Sequence, residues 1–350
     1  MRIGMPISYS GGFADTVDEI AEFESAGLDV LFVAEAYTFD AVSQLGFLAA
    51  RTSRLQIAAG ILNIYSRTPA LIAMTAAGLD YVSDGRFVLG LGASGPQVIE
   101  GFHGMPYTAP LARTREVVDI CRQVWRREPV DHQGKYIHVP LTPEHGGSGL
   151  GKPLKLINHP VRDRIPMLLA ALGPKNVALA AELFEAWEPI FYHPEGSRDA
   201  FGDALTEGLA KRAPELGPLQ IYADVKALVT DDPNEEAAGL AAVRQHLALY
   251  IGGMGARGKN FYNDLAARYG FEAAAKEVQE LFLDGKKAEA AAALPDELVR
   301  GVSLVGPRGY VAERVSAFAE TGVTTLVASP AGSDHAGRLR TISTLAELGA

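Results

Sequence analysis

The sequence predicts an α/β fold, a single (β/α)8 TIM barrel, on two observations. Short apolar segments typical of buried strands alternate with helix-like segments along the 350 residues, and this order indicates a parallel sheet. Eight such strands are present, and no change of composition divides the chain. One barrel domain over residues 1–350 therefore accounts for the whole length. A doubly wound open sheet is the alternative.

The predicted strands are short runs rich in Val, Ile, Leu and Ala. They span residues 2–8, 28–35, 55–62, 86–91, 166–172, 186–192, 219–230 and 324–329. Helices are predicted over residues 16–25, 40–52, 69–82, 111–126, 174–183, 198–212, 234–251, 310–320 and 337–348. Asp15 is expected to cap the first helix, and Thr68 followed by Pro69 to begin the third.

Two segments interrupt the alternation. Residues of about 127–165, after helix 4, contain a predicted hairpin and then a loop rich in Gly and Pro. Residues of about 252–305, before strand 8, form the second insertion, in which residues 252–298 are rich in Ala, Glu and Lys and predict helices. Both are expected to be additions to one barrel domain.

Composition limits the classes of partner. The formal net charge of −10 disfavours nucleic acid, because no strongly basic face is available for phosphates. No apolar run is long enough to cross a membrane and no signal-peptide pattern is present. The single cysteine, Cys121, fits a reducing compartment. We therefore expect a cytoplasmic protein that binds a small-molecule substrate.

Several motifs resemble sites of other classes. Gly90-x-Gly92-x-x-Gly95 matches the dinucleotide-binding pattern, but it follows the fourth strand and no acidic strand end follows it. A close-approach loop at the barrel mouth is the better interpretation. The loop at residues 146–153 resembles a P-loop, but Pro153 replaces the Ser or Thr that reaches magnesium. The eight histidines show no metal-ligand spacing, so no metal site is predicted.

The third strand carries the most informative feature. Gly60 follows the apolar run that begins at Leu55, and two aliphatic residues, Ile61 and Leu62, precede the polar Asn63. A glycine in a strand pattern marks a bulge or a close approach of the backbone. Sites in such barrels form where the strands end. The residues placed there are Ser8, Glu35, Gly60–Asn63, Ala93, Ser94, Ala170–Gly173, Tyr192 and Ser329.

A second candidate lies after the fifth strand, where Gly173-Pro174-Lys175-Asn176 begins a helix. The free N–H groups of a helix start, its dipole and Lys175 suit a phosphate group. An ordinary helix start is the alternative. Together these features predict a mouth suited to a broad planar ligand that carries a phosphate.

These residues resemble the luciferase-like monooxygenase superfamily, and in particular its oxidoreductases that use the deazaflavin coenzyme F420. The resemblance covers essentially the whole chain. Its most specific stretches are residues 59–69 (AGILNIYSRTP), 84–92 (DGRFVLGLG), 94–101 (SGPQVIEG), 110–116 (PLARTRE), 149–155 (GLGKPLK) and 172–178 (LGPKNVA).

The resemblance implies a cis peptide at Gly60–Ile61, in a bulge that supports one face of the deazaflavin. It also implies that Glu35 contacts the ring, and it makes Glu35 and Tyr65 candidate proton donors. The remaining implied contacts are at the ring, side chain and phosphate of the coenzyme. These residues are Gly60, Ile61, Leu62, Asn63, Ala93, Ser94, Leu172, Gly173, Lys175 and Asn176.

Two departures from relatives that oxidise a sugar phosphate leave the substrate open. Ala36 stands where those relatives have a histidine, and Gly95 where they have a carboxylate. Arg257 and Lys259 are candidates for the acidic tail of the coenzyme. We expect hydride transfer with F420 and a homo-oligomer, most simply a dimer. An FMN-dependent monooxygenase and a non-catalytic cofactor-binding barrel are the alternatives.

Overall fold

The computed structural model describes residues 1–7, 12–255, 257–331 and 334–349. Within them, eight parallel strands close into a barrel with helices between the strands, as predicted. The first barrel strand pairs with both the second and the last, and the sixth pairs with the seventh. This closure excludes the doubly wound sheet.

The described residues form twelve strands, of which β1, β2, β3, β5, β8, β9, β10 and β12 close the barrel. The strands are β1 (Arg2–Ile7), β2 (Val30–Val33), β3 (Gln56–Ala59), β4 (Leu62–Asn63), β5 (Phe87–Gly92), β6 (His132–Gln133), β7 (His138–Val139), β8 (Met167–Ala170), β9 (Ala186–Glu188), β10 (Gln220–Val229), β11 (Ser303–Gly306) and β12 (Thr325–Pro330).

Fourteen α-helices accompany these strands in the described part of the chain. They are α1 (Phe13–Ser25), α2 (Ala41–Arg51), α3 (Pro69–Val82), α4 (Pro96–Ile99), α5 (Pro110–Trp125), α6 (Pro174–Leu183), α7 (Pro194–Leu209), α8 (Pro233–Ala248), α9 (Phe261–Ala266), α10 (Glu272–Leu283), α11 (Lys287–Ala292), α12 (Asp296–Gly301), α13 (Arg308–Glu320) and α14 (His335–Gly349). None of them is long and apolar enough to cross a membrane.

Helix starts test the predicted caps. The Thr68 hydroxyl accepts a hydrogen bond from the Leu71 N–H at 3.2 Å, and α3 begins at Pro69 as predicted. The predicted cap at Asp15 is wrong. Helix α1 begins three residues earlier than predicted, at Phe13, after Gly12, whose left-handed backbone (φ 72°) precedes the helix without a side-chain cap.

The two predicted insertions contain the expected kinds of structure. Strands β6 and β7 pair antiparallel as the hairpin, and most of the second segment is helical. Strand β11 follows the residues predicted to be helical and pairs with the carboxyl half of β10; no strand was predicted there. Strand β11 has only four residues, of which Leu304 and Val305 are aliphatic, and this is too short for periodicity to distinguish a strand from a helix.

The interior of the barrel is filled by apolar side chains up to the level of the mouth. This interior cluster contains Val30, Phe32, Ala58, Val88, Leu168, Ala186, Tyr222 and Val327, with Ile61 packed against it. The rings of Phe32 and Tyr222 meet edge to face at 6.2 Å. Any ligand therefore binds above this cluster, at the carboxyl ends of the strands.

Candidate functional site

The bulge in the third barrel strand lies between β3 and β4. The Gly60–Ile61 peptide is cis. The Gly60 N–H bonds to the Val33 carbonyl at 2.9 Å, and the Ile61 carbonyl accepts from the Glu35 N–H at 3.3 Å. The Ile61 side chain rests on the interior cluster, whereas Leu62 packs outward into the core beneath the helices. Of these two predicted contacts, only Ile61 presents its side chain to the mouth.

The glycine pattern of β5 serves close packing against this bulge. A Cβ at Gly90 would lie 1.8 Å from the Ala59 carbonyl oxygen, and one at Gly92 would lie 2.8 Å from Ile61 Cδ1. No side chain fits at Gly90 without displacing backbone. The close-approach interpretation of this motif therefore accounts for its first two glycines.

Asn63 holds the chain as it leaves the bulge. It is buried, and its Oδ1 accepts from the N–H groups of Tyr65 (3.0 Å) and Ser66 (2.7 Å). Its Nδ2 lies 3.5 Å from His103 Nε2. Asn63 thus fixes a tight turn through its side chain, and it brings a histidine to the mouth that the sequence pattern did not indicate.

Tyr65 is also engaged within the protein. Its buried hydroxyl donates to the Thr108 carbonyl at 3.0 Å, and its ring lies 5.4 Å from that of Tyr107. The Tyr107 hydroxyl in turn donates to the carbonyl of Ser94, an exposed residue with φ 56° beside Ala93. Burial raises the pKa of Tyr65 to about 12. The hydroxyl therefore keeps its proton at neutral pH, and it already donates a hydrogen bond to a backbone carbonyl.

Glu35 forms an ion pair with Arg67. Arg67 Nη1 and Nη2 lie 2.5 and 2.8 Å from the two Glu35 oxygens, and the Ala41 N–H donates to Oε2 at 3.1 Å. The side chains are only 8% (Glu35) and 14% (Arg67) exposed. The bond to Glu35 raises the pKa of Arg67, and Arg67 also reaches Asp40 at 2.7 Å. A carboxylate held by a guanidinium fork is suited to positioning more than to giving up a proton.

The start of α6 is open, as predicted. Gly173 occupies the cap position without a side-chain cap, and nothing lies within 4 Å of a Cβ built on it. Lys175 is exposed. The Leu172 carbonyl accepts from Arg268 Nη2 at 2.8 Å, so a guanidinium from the second insertion adds positive charge beside this helix start.

Four other predicted positions have different outcomes. Ser8 lies outside the described residues. Tyr192 was expected at the mouth, but it is 2% exposed and packs in the core against Phe201 and Phe318, because β9 ends at Glu188 and the chain has already left the barrel wall. Arg257 and Lys259 are exposed.

Two acidic residues inside the barrel were not among the predicted site residues. Glu188 ends β9, and Asp224 lies within β10. Ala186 and Tyr222, two positions before them, belong to the interior cluster. Because side chains alternate along a strand, Glu188 and Asp224 face the same interior, one step nearer the mouth.

Both carboxyl groups have raised pKa values. Burial raises the pKa of Asp224 to about 7. Burial, together with repulsion from Asp224, raises the pKa of Glu188 well above its ordinary value. Lys226, the next inward position on β10, has its pKa lowered by burial. Such groups in a cleft mark a candidate functional site.

The fold and this geometry define a (β/α)8 barrel with a ligand site at the carboxyl ends of its strands, the place where enzymes of this architecture act. The sequence profile of the luciferase-like monooxygenase family matches residues 1–325. A protein of Mycobacterium tuberculosis described as a putative coenzyme F420-dependent oxidoreductase is 42% identical over 340 residues, 96% of each chain.

Two further proteins extend the comparison. The 5,10-methylenetetrahydromethanopterin reductase of Archaeoglobus fulgidus is 30% identical and matches 89% of this chain and 88% of its own. The solved coenzyme F420 dependent tetrahydromethanopterin reductase of Methanopyrus kandleri shares the fold, with a TM-score of 0.80 over 99% of this chain and 97% of its own, at 19% identity. The chain belongs to the luciferase-like monooxygenase family and is an enzyme of that family.

Proposed function

We propose that this enzyme is an oxidoreductase that transfers a hydride between coenzyme F420 and a small organic substrate. The observation that carries the proposal is the 42% identity, over 96% of both chains, to the relative described as a putative coenzyme F420-dependent oxidoreductase. The site geometry is compatible with that coenzyme, and each part of the mouth has a role in holding it.

The bulge supplies the support for a planar ring. Ile61 stands on the closed interior cluster and cannot move downward, because Phe32 fills the space below: a Cβ built on the neighbouring Gly60 would already lie 3.0 Å from Phe32 Cδ1. Close packing of this kind resists deformation. In this proposal Ile61 and Gly60 back one face of the ring, and Asn63, Ala93 and Ser94 lie at its edge.

The open start of α6 supplies the phosphate site. Gly173 leaves space for a ligand atom at the positive end of the α6 dipole, and the exposed Lys175 adds a positive charge. When bound, F420 supplies a two-electron hydride carrier, and the protein contributes binding, orientation and exclusion of water around the reacting carbon. Glu35 and Arg67, as a fixed ion pair, would position the neighbouring ring edge.

The test is binding of purified protein to F420 and to FMN, each followed by fluorescence. We expect F420 to bind, and Lys175→Gln to weaken it about tenfold, the equivalent of one charge-assisted hydrogen bond. Lys211→Gln, an exposed lysine paired with Glu207, is the matched control and should leave binding unchanged. Tight FMN binding without F420 binding would refute the proposal.

The second candidate is an FMN-dependent monooxygenase, favoured by the chemistry that gives the family its name. The discriminating measurement is oxygen uptake with reduced cofactor. A hydride-transferring F420 enzyme should reduce its substrate without consuming oxygen, whereas a monooxygenase consumes oxygen in proportion to its product.

A further inference from the structure

Glu188 and Asp224 occupy one wall of the barrel mouth. Continuing the register of β9 and β10 from Ile221↔Trp187 places Glu188 beside Tyr222, so Asp224 is the next inward residue toward the mouth. On the flanking strands, Ala170 pairs with Glu188 and Val327 pairs with Asp224. The two carboxyl groups are therefore neighbours with apolar residues on either side.

This wall faces the bulge. Strand β3 is third and β10 is seventh in the ring of eight, so they stand on opposite sides of the barrel. Ile61 rests on the interior cluster from one side, and Glu188 and Asp224 stand directly above Ala186 and Tyr222 of the same cluster on the other. A planar ligand backed by Ile61 would turn its free face toward the carboxyl groups.

Among the described residues, Glu188 is the buried carboxylate for which no hydrogen-bond or ion-pair partner is found. Asp80 is held by Arg162, and Glu116 accepts from the N–H groups of Lys135 and Tyr136. In the described parts of the chain no hydrogen bond or ion pair reaches the side-chain oxygens of Glu188, which is only 7% exposed, or those of Asp224. A charge left in that position is costly, so a buried unpaired acid points to a proton or a ligand.

Few other titratable groups face this pair. Tyr222 lies below it, near Arg2, and Lys226 lies above it on β10. From α8, His246 approaches Lys226, and burial lowers the pKa of that histidine to about 4, with Lys226 adding to the effect. Strands β8 and β12 present Ala170, Val327 and Ser329. Lys226 is the one cation of the described residues on this wall, and no ion pair ties it to either acid.

We infer that Glu188 and Asp224 hold a proton between them and deliver it to the substrate during hydride transfer. This inference rests on the proposed function. The substrate is an organic molecule with a polar double bond, C=O or C=N, lying between the coenzyme and the carboxyl pair. Its carbon receives the hydride, the π electrons move to the oxygen or nitrogen, and that atom takes the proton. The pair is left as the carboxylate and regains its proton from water.

The first experiment needs no coenzyme. We expect the infrared spectrum of the protein to show the C=O stretch of a neutral carboxyl group well above the ordinary titration range of Asp and Glu, about pH 4, and to lose it as the pH is raised beyond neutrality. Glu188→Gln and Asp224→Asn should each remove or shift this band. Glu116→Gln, an equally buried carboxyl with N–H donors, should leave it unchanged.

The second experiment uses the F420-loaded enzyme and a panel of ketones, enones and imines. Glu188→Gln is expected to lower kcat by about a hundredfold or more, the size of a general acid's contribution, with F420 affinity changed less than about threefold. A wild-type spectrum without the neutral-carboxyl band, or unchanged kcat in Glu188→Gln, would overturn the inference. Failure of F420 to bind would instead refute the proposed function, and the infrared titration would still decide whether the pair holds a proton.

Discussion

The two walls of the barrel mouth differ in whether their polar side chains have hydrogen-bond or ion-pair partners among the described residues. On the wall formed after β2, β3 and β5, three buried or nearly buried polar side chains have partners in the protein: Glu35 with Arg67, Asn63 with the turn that follows it, and Tyr65 with the Thr108 carbonyl. On the wall of β9 and β10, Glu188 and Asp224 have none among the described residues, and burial raises the pKa of both.

We infer from this difference that the two walls have different roles. The wall formed after β2, β3 and β5 (the supporting wall) holds the ligand, and the wall of β9 and β10 (the reactive wall) takes part in the reaction. Polar groups that already bond to one another are held in place and lose little when a ligand arrives, so they suit a rigid backing for a ring. A buried acid without a partner costs free energy in the folded protein, and such a cost is expected where chemistry needs a proton near neutral pH. The two walls thus predict opposite responses to mutation.

The largest effect is expected for a substitution at Gly90, where β5 packs closely against the end of β3 in the supporting wall. In Gly90→Ala the new Cβ would lie 1.8 Å from the Ala59 carbonyl oxygen, and because the obstacle is backbone, the strands must separate. We expect the free energy of unfolding to fall by more than about 4 kcal/mol, or the protein not to fold. Urea denaturation measures this.

The matched control is Gly78→Ala, in the exposed middle of α3, where nothing lies within 4 Å of the new Cβ. It should stabilise the protein by up to about 1 kcal/mol. A Gly90→Ala protein as stable as the wild type would show that β5 does not support the bulge.

The next effect tests the ion pair of the supporting wall. Arg67→Met leaves the Glu35 carboxylate buried without its guanidinium, and we expect unfolding free energy to fall by about 3–5 kcal/mol. The double variant Arg67→Met/Glu35→Gln should recover much of this loss, because no charge is then stranded.

Arg115→Met is the control for that experiment. Arg115 forms a similar pair with Glu182 but is 50% exposed, and exposed pairs contribute less than about 1 kcal/mol. Equal losses in Arg67→Met and Arg115→Met would mean that burial does not distinguish the Glu35 pair.

The sequence predicts the barrel well because parallel strands are buried on both faces and appear as apolar runs. It predicts the bulge at Gly60 because no other local feature of the sequence accounts for a glycine in that apolar strand. The partner of Glu35 was not predictable from the sequence. Arg67 lies 32 residues away, and no local sequence pattern indicates that the segments after β2 and before α3 meet in the folded barrel.

Signals for the carboxyl pair were present but weak. Pro189 directly follows Glu188 and interrupts strand pairing, so the strand predicted over residues 186–192 should have ended at Glu188 and placed an acid at a strand end. In β10, Asp224 and Lys226 share one face, whereas Ile221, Ala223 and Val225 on the other face are apolar. Charges at this spacing inside a buried strand indicate a polar interior, but their lack of partners is visible only in three dimensions.

The reactive wall should respond to pH in a way the supporting wall does not. Because the pKa of Asp224 is raised from 3.8 to about 7, the folded state binds this proton more tightly than the unfolded chain. The stabilisation is complete below the ordinary pKa and is lost as the pH rises through about 7. Asp224→Asn should therefore gain stability relative to the wild type as the pH is raised from about 4 to about 8.

Urea denaturation at a series of pH values measures this difference. Glu116→Gln, whose parent carboxylate already accepts N–H donors, should show no such relative gain. A constant difference between Asp224→Asn and the wild type at all pH values would place the Asp224 carboxyl in an ordinary, solvated environment and remove the contrast between the walls.

The smallest effect is expected for Tyr65→Phe. The hydroxyl donates one hydrogen bond to the Thr108 carbonyl, which also accepts from Arg113 Nε at 3.1 Å, so its removal leaves no unsatisfied acceptor. We expect a loss of about 1 kcal/mol in unfolding free energy and a kcat within a few-fold of the wild type, since a phenol with a pKa near 12 is a poor proton donor at neutral pH. If Tyr65→Phe instead lowers kcat a hundredfold at unchanged stability, the proton comes from the supporting wall. The assignment of proton delivery to Glu188 and Asp224 would then be wrong.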